Sequence, residues 1–445
     1  MPELRAGFGL AKITPSSNVP LAGYAARMGL SQGIHDDLYA RALVLSEGKN
    51  ALTLISVDAL ALDAAFVAQV RAEIGVNTGI EPAAIMIAAT HTHGGPLTTE
   101  LFSPEPRPLD KKYLAFLRSS IVQAVTTAWN ARFPARIGFG SVPVSGIGGN
   151  RHRPDGAMDP ELGVMRVTDQ RGQTRAVCLN YACHPTVLGP NNLQITADFP
   201  GFAVAHVAES LGSDSFAMFL NGAAGNISVG RSPKATALGV VGPGRTFEHA
   251  EKIGRQLADL AIEILPSIEV TADHTLGFAV RSVSLKLKPL PSPKELEIVL
   301  KQANEELESV RDAGNDPAKI QEVQLKALFA ALIHYEACRR APGSLQEPVE
   351  VQCLRVGQAF FVGIPLEPFV EIGLELKRAF SDHLFPVELA NGYLGYLPAS
   401  GASEDQGYET VSAHFEPDSD KILISHILEL RKQLLDAAPE GTHHT

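Results

Sequence analysis

A chain of 445 residues with 45% hydrophobic and 20% charged residues has the composition of a globular protein with a large core, which excludes disorder as its dominant state. Asp plus Glu outnumber Lys plus Arg by 49 to 38, and the net charge of -11 opposes nucleic acid and anionic lipid surfaces unless a basic patch intervenes; none is evident. At about 150 residues per domain the length alone allows about three domains. Cys178, Cys183, Cys338 and Cys353 form no CxxC pair and read as reduced thiols. Met1 to Lys12 lacks a basic n-region with an apolar core, and no run approaches about 18 uninterrupted apolar residues, so a cytoplasmic protein without membrane spans is expected.

In chain order, the apolar runs Ala51 to Val57 and Ala84 to Ala89 predict buried strands, separated by a helical pattern at Ala64 to Ile74. Directly after the second strand stands Thr90-His91-Thr92-His93-Gly94-Gly95-Pro96. In extended chain, residues two apart face the same side, so His91 and His93 are expected to project together, with glycines beyond them leaving room for a ligand. Such a pair suits zinc or another transition metal; the plain alternative is a polar loop. A helix is predicted at Leu109 to Trp129 and a strand at Ala176 to Tyr181, after which Cys183-His184-Pro185-Thr186 again sets a histidine just past a strand. Thr196-Ala197-Asp198 then leads into a helix at Phe202 to Leu211, where Asp198 either caps the helix or orients a ligand.

The predicted strand Phe216 to Leu220 runs into Asn221-Gly222-Ala223-Ala224-Gly225-Asn226-Ile227-Ser228. Backbone amides of such a small-residue turn are candidates for stabilising developing negative charge. The turn has neither the GxSxG elbow nor the Walker pattern, so a serine hydrolase and a phosphate loop are not indicated. After a helix at Glu248 to Ile264, the stretch Ser292 to Arg340 turns rich in Lys, Glu, Gln, Leu and Ala, broken by Gly314-Asn315-Asp316-Pro317. It reads as a helical hairpin insertion, expected as a solvated pair covering a sheet edge rather than a cap on a pocket. Strands at Val349 to Val356 and Ala359 to Ile364 follow, the second ending in Pro365-Leu366-Glu367-Pro368, where Glu367 is a candidate metal ligand. Beyond a helix at Phe369 to Phe380, Tyr393, Tyr396 and Tyr408 supply phenols able to donate to an oxyanion or to ligate a metal. The alternation of strands and helices predicts an α/β fold.

Taken in this order, the motifs resemble the catalytic domain of the neutral/alkaline non-lysosomal ceramidase family, from the start to about His414. The resemblance is carried by Gly33-Ile34-His35, Leu38-Tyr39-Ala40-Arg41-Ala42, Ser56-Val57-Asp58 and, most specifically, His91-Thr92-His93-Gly94-Gly95-Pro96. It continues through Asn150-Arg151, His184 with Thr186 and Asp198, Gly225-Asn226-Ile227-Ser228, Pro365-Leu366-Glu367 and the tyrosines. It implies a ceramidase-like α/β fold of layered mixed β-sheets flanked by helices, with one catalytic domain over residues 1–445 and the hairpin, 292–340, inside it.

The resemblance further implies one Zn²⁺ held by His91, His184, Glu367 and Tyr396. His93, Arg151 and Tyr408 would contact the scissile carbonyl or its oxyanion. Asp198 joins this catalytic set, and Asn150, Asn226, Ser228 and Tyr393 are expected on the substrate. Two neutral imidazoles and a carboxylate leave zinc a position for water, whose pKa falls to about 7 so that hydroxide can attack an amide carbon. The expected function is zinc-dependent hydrolysis of an amide (N-acyl) bond in a soluble small molecule. An ester, lactone or glycosidic linkage is the enzymatic alternative, and a non-catalytic metal or small-ligand binding protein is the alternative of another class. Gly94 stands where the family has Ser, and Asn226 and Ile227 where it has Asp and Val. With no leader, and an end near where the family's immunoglobulin-like domain would begin, these departures favour a soluble amide over membrane ceramide. Specificity is expected from the loops Leu97 to Arg107 and Ser232 to Arg245. No signal bears on oligomeric state.

Overall fold

The computed structural model describes residues 3–437 apart from Ser17, 104–106, Pro154, Ser213, Arg231, 273–274, Asn315, Pro342, 381–382 and 403–406. Its largest element is an eight-stranded mixed sheet, in spatial order Phe216–Asn221, Thr174–Tyr181, Glu161–Asp169, Phe133–Pro143, Leu4–Lys12, Tyr39–Glu47, Asn50–Val57 and Ile85–Ala89. The strands at both edges run parallel to their neighbours, and the inner ladders are antiparallel. Tyr39–Glu47 is buried from Ala40 to Ser46 because it is covered on both faces, which explains its nearly unbroken apolar sequence. In Leu4–Lys12, Gly7 and Gly9 are packing residues rather than turn signals. A Cβ on Gly7 would lie 2.0 Å from Ala128 O of the covering helix Lys111–Asn130, and one on Gly9 would lie 2.1 Å from Ala124 O.

The second sheet has four strands, Leu276–Lys286, Gln346–Val356, Ala359–Ile364 and His383–Glu388, the last two parallel. The two sheets stack face to face. Leu43 and Met86 of the first share one core with Phe361, Phe385 and Val387 of the second, and a Cβ on Gly363 would meet Met86 Cε at 2.9 Å. Helices close the outer faces. Asp198–Leu211 and Phe247–Ile264 cover one end of the large sheet, while Val370–Phe380 and Ser419–Asp436 pack on the small one. The result is the layered mixed α/β arrangement that the sequence predicts.

The expected hairpin forms as helices Pro293–Asp312 and Pro317–Arg339. Ser292 and Glu295 make a reciprocal capping box at its start, and Asp316 caps the second helix through Ala318 N; Asn315, in the predicted turn, lies outside the described residues. All four cysteines are free, and no described helix is long and apolar enough to cross a membrane.

Candidate active site

The chemistry-bearing residues meet where parallel strand pairs of both sheets end, the usual position for a site in such sheets. Ile85–Ala89 ends two residues before His91, which adopts φ 67°, left-handed for a residue with a Cβ. His91 N donates to Ala59 O (2.9 Å), and its Nδ1–H faces Leu60 O at 2.9 Å. His91 and His93 do come together, with ring centroids 4.9 Å apart. They meet through this left-handed turn, not through the extended backbone that the two-residue spacing suggests, because the loop 58–60 captures both His91 nitrogens.

His184 follows Thr174–Tyr181 and is fully buried. Its Nδ1–H faces Ala224 O (2.7 Å) and Ile227 O (3.1 Å), so the neutral ring carries its lone pair on Nε2. Burial, then the Arg151 charge, lowers its pKa to about 4, keeping the ring neutral. Glu367 follows Ala359–Ile364, in the two-residue strand Glu367–Pro368 paired in register with Tyr396–Leu397. Its Oε2 lies 3.0 Å from His184 Nε2 and 3.4 Å from His91 Nε2. Although burial opposes ionisation, His91 and His184 hold this carboxyl well below the usual range.

These donors fit a metal ion. Tetrahedral bonds of about 2.0–2.1 Å put donor atoms about 3.4 Å apart, close to the separations here. Both histidines present Nε2 to the common point while a main-chain carbonyl holds Nδ1, the arrangement that fixes tautomer and orientation in metal-ligating imidazoles. His93 completes a group of three imidazoles whose donor atoms lie within 4.8 Å of one another. It differs from the other two, since its Nδ1 is buried without a partner and its ring packs on Tyr24 at 4.8 Å.

Arg151 supports this group from outside the cavity lining. Its Nη2 donates to Gly225 O (2.9 Å) and Tyr396 Oη (3.1 Å) and lies 3.2 Å from His184 Nε2, while Nε is 2.9 Å from Glu409 Oε1. Glu409 is 1% exposed and also faces His152 Nδ1 at 3.5 Å. Burial opposes its ionisation, but Arg151 and His152 keep it a carboxylate. Tyr393 donates to Glu367 Oε1 at 3.0 Å, and the Tyr396 and Tyr408 rings are 6.2 Å apart. Burial raises all three phenols, Tyr408 to about 12 and Tyr393 and Tyr396 well above the usual phenol value.

Six predicted residues do not line the cavity at this centre: His184 and Arg151, which contact the lining residues Glu367 and Tyr396, and Asp198, Asn150, Asn226 and Ser228. Asp198 is the first residue of its helix rather than the cap, and its carboxylate accepts from Phe199 N (2.7 Å) and Leu188 N (3.2 Å). It braces the chain that follows His184; burial raises its pKa to about 6. Asn150 folds its own loop, accepting from His152 N and Arg153 N and donating to Ala157 O. Asn226 bridges to Val370–Phe380, accepting from Val370 N and donating to Glu371 Oε2. Ser228 is fully buried in a backbone ladder with Gly149 and bridges to His184.

Two amides of the small-residue turn are likewise taken within the protein. Ala224 N donates to Glu388 Oε2 (2.9 Å) and Gly225 N to Pro368 O (2.9 Å). Gly225 is small because the Glu367 strand crosses it, and a Cβ there would sit 2.4 Å from Glu367 O. Gly225→Ala is therefore expected to destabilise the protein by about 1–3 kcal/mol, measured by denaturant titration.

Sequence reasoning missed Glu409 and Glu388. Glu388 is fully buried and accepts from Asn221 Nδ2 (2.8 Å) and Ala224 N, while Asn221 Oδ1 takes Cys183 N. Ala224, whose carbonyl holds His184 Nδ1, and Cys183, which precedes His184, thus both connect to one carboxyl. Its only sequence signal was a charged residue closing an apolar strand, His383–Glu388.

A cavity of about 710 Å³ opens on this centre, lined by His91, His93, Glu367, Tyr393, Tyr396 and Tyr408. Helix Pro317–Arg339 also lines it, through Phe329, Leu332 and Ile333, and Phe329 packs on Tyr408 at 6.4 Å. The hairpin is therefore a wall of the cavity, contrary to the solvated pair expected from its charges. Phe329, Leu332 and Ile333 of its second helix face the cavity, and the charged residues around them hide that stripe in the composition. Of the two loops expected to set specificity, the first contributes Leu97, Leu101, Phe102 and Arg107, with 104–106 outside the described residues; no residue of 232–245 lines the cavity.

Comparison with known proteins agrees with this architecture. The sequence model of the family described as neutral/alkaline non-lysosomal ceramidase, N-terminal, matches residues 4–233. The chain is similar to a protein of Pseudomonas aeruginosa named neutral ceramidase, 24% identical over 472 residues that cover 93% of this chain and 69% of that one. It is also similar to a neutral ceramidase of Mycobacterium tuberculosis, 24% identical over 510 residues covering 98% and 78%. The crystal structure of the Pseudomonas aeruginosa neutral ceramidase superposes with a TM-score of 0.77 at 22% identity, covering 99% of this chain and 76% of that one, and so has the same fold. With more than half of its length matched by that model, the chain belongs to the neutral/alkaline non-lysosomal ceramidase family.

Proposed function

We propose that this protein is a zinc-dependent amidohydrolase that cleaves the N-acyl bond of a small molecule with an aliphatic chain. The observation that carries this reading is the convergence of His91 Nε2, His184 Nε2 and Glu367 Oε2 within 3.0–3.4 Å contacts, with both imidazoles oriented by carbonyls. Tyr396, in register beside Glu367, is the fourth residue that would hold the ion. Zinc bound there supplies the Lewis acidity that makes water a competent nucleophile near neutral pH.

The remaining roles belong to the chain's own groups. Arg151 keeps its charge despite burial because Tyr396 and Glu409 favour it, so it offers a fixed cation where an amide carbonyl gains negative charge. Tyr408 adds a hydroxyl donor. Burial keeps His93 neutral, and no carbonyl fixes its ring, which suits a proton-transfer or carbonyl contact better than ligation. Leu97, Leu101, Phe329 and Leu332 give the cavity walls that exclude water and accept an acyl chain. The names of the two bacterial relatives make ceramide the first substrate to assay.

The test is hydrolysis of matched amide and ester substrates by purified protein, before and after chelation. Loss of amide cleavage on chelation and its return with zinc is the expected result, and metal-independent cleavage would sink the reading. Glu388→Leu is expected to weaken metal affinity by about 10–100-fold in chelator competition, because Ala224 and Asn221 lose the carboxyl that aligns the His184 supports.

A further inference from the structure

The cavity has a second end. Beyond Tyr408 it is lined by Lys288, Arg339 and Arg340, with Glu336 between them. The Glu336 carboxylate is engaged on both oxygens. Arg340 Nε reaches Oε1 at 3.0 Å, Arg339 Nη2 reaches Oε2 at 3.2 Å, and His414 Nε2 stands 3.4 Å from Oε2. Lys288 differs. Among the described residues no carboxylate lies within ion-pair distance of its half-buried ammonium, whose single hydrogen bond goes to Thr410 O at 2.8 Å. Two of its three donors remain for a ligand.

The neighbouring charges sharpen this asymmetry. The group most strongly felt by Lys288 is another cation, Arg340, which donates to Lys288 O. The other acids lining the cavity are Asp63, which accepts from Thr99, and Glu100; the Arg339 charge acts on Asp63 and on Glu347, which is outside the lining. Thr410 is two residues beyond Tyr408 on the same short helix, Tyr408–Ser412, so the ammonium stands beside the segment that serves the metal-facing end.

We propose that Lys288 is the anchor of an anion subsite, and that the preferred substrates are N-acyl compounds carrying a carboxylate several bonds from the scissile amide. This rests on the amidohydrolase reading for the metal-facing end. The carboxylate would complete the shell of an ammonium that has no counter-ion among the described residues, and a charge-assisted bond of this kind separates it from a neutral isostere by about tenfold or more in affinity.

The test compares N-octanoyl-ε-aminocaproate with its primary amide, which differ only in that charge. Binding by calorimetry to the zinc-loaded protein is expected to favour the acid by about tenfold. The preference should vanish in Lys288→Met and persist in Lys288→Arg, which keeps the charge. Equal affinities in the wild-type protein would overturn the proposal without recourse to any variant. A preference that survives in Lys288→Met would overturn it too, because the carboxylate would then sit on the metal. Hydrolysis of both compounds is followed in parallel: cleavage of neither removes the amidohydrolase reading, while the binding comparison still decides the subsite.

Discussion

Replacing His184 with Ala is expected to abolish bound metal and to lower amide hydrolysis by about a thousandfold or more, since a metal's contribution to such a transition state is several kcal/mol. His184 Nε2 and Glu367 Oε2 are 3.0 Å apart and both are almost fully buried, so no water or surface residue can substitute for the imidazole. Arg151 Nη2, already 3.2 Å from His184 Nε2, would turn to the Glu367 oxygen that His184 leaves and fill the ion's position with a cation. Added zinc should therefore fail to rescue the variant. His91→Ala should behave alike, because His91 Nε2 is 3.4 Å from the same carboxylate oxygen. Elemental analysis of the purified variants, with circular dichroism to establish folding, checks both. Wild-type metal content in folded His91→Ala and His184→Ala would remove the basis for this centre.

Arg41→Met is expected to cost about 3–5 kcal/mol of stability, the effect of stranding one member of a buried ion pair. Arg41 Nη1 lies 2.6 Å from Asp58 Oδ2, and the residues are 7% and 1% exposed. The same oxygen accepts from Tyr39 N at 2.9 Å, while Asp58 Oδ1 is buried without a partner, so nothing else neutralises the carboxylate. Burial already raises the Asp58 carboxyl, and removing Arg41 raises it further. The sign of the pH dependence follows. An acid whose folded pKa exceeds its unfolded value, about 4, binds more protons when folded, so the variant loses stability as pH rises through that window. Denaturant titrations should thus show a larger deficit near pH 8 than near pH 5. Activity should fall with stability, because Ala59 O and Leu60 O, which hold His91, follow directly on Asp58.

The legibility of the site in the sequence varied with the kind of residue. His91, His184 and Glu367 each stand just past an apolar strand, and strand ends of parallel pairs are where a layered α/β fold gathers its chemistry. The turn 221–226 leaves two readings in the sequence, because small residues serve ligand approach and chain packing equally well. Only the position of the Glu367 strand, 2.4 Å from a Cβ on Gly225, distinguishes them. The roles of Glu388 and Glu409 could not be found by pattern, since neither the end of an apolar strand nor a polar turn shows which groups its carboxylate satisfies.

In the strands Leu4–Lys12 and Phe133–Pro143, which the sequence reading does not predict, glycines serve packing: Gly138 is where Glu269 O packs, 2.0 Å from a Cβ position. By itself the sequence determined the fold class, the family resemblance and the residues able to ligate a metal, because periodicity and residue chemistry are local properties. The tertiary structure alone decided that His91 turns left-handed, that the turn amides are taken by Glu388 and Pro368, and that the hairpin walls the cavity. Each of these depends on what a distant segment brings within a few ångströms, and close packing fixes that only once both sheets have closed on one another.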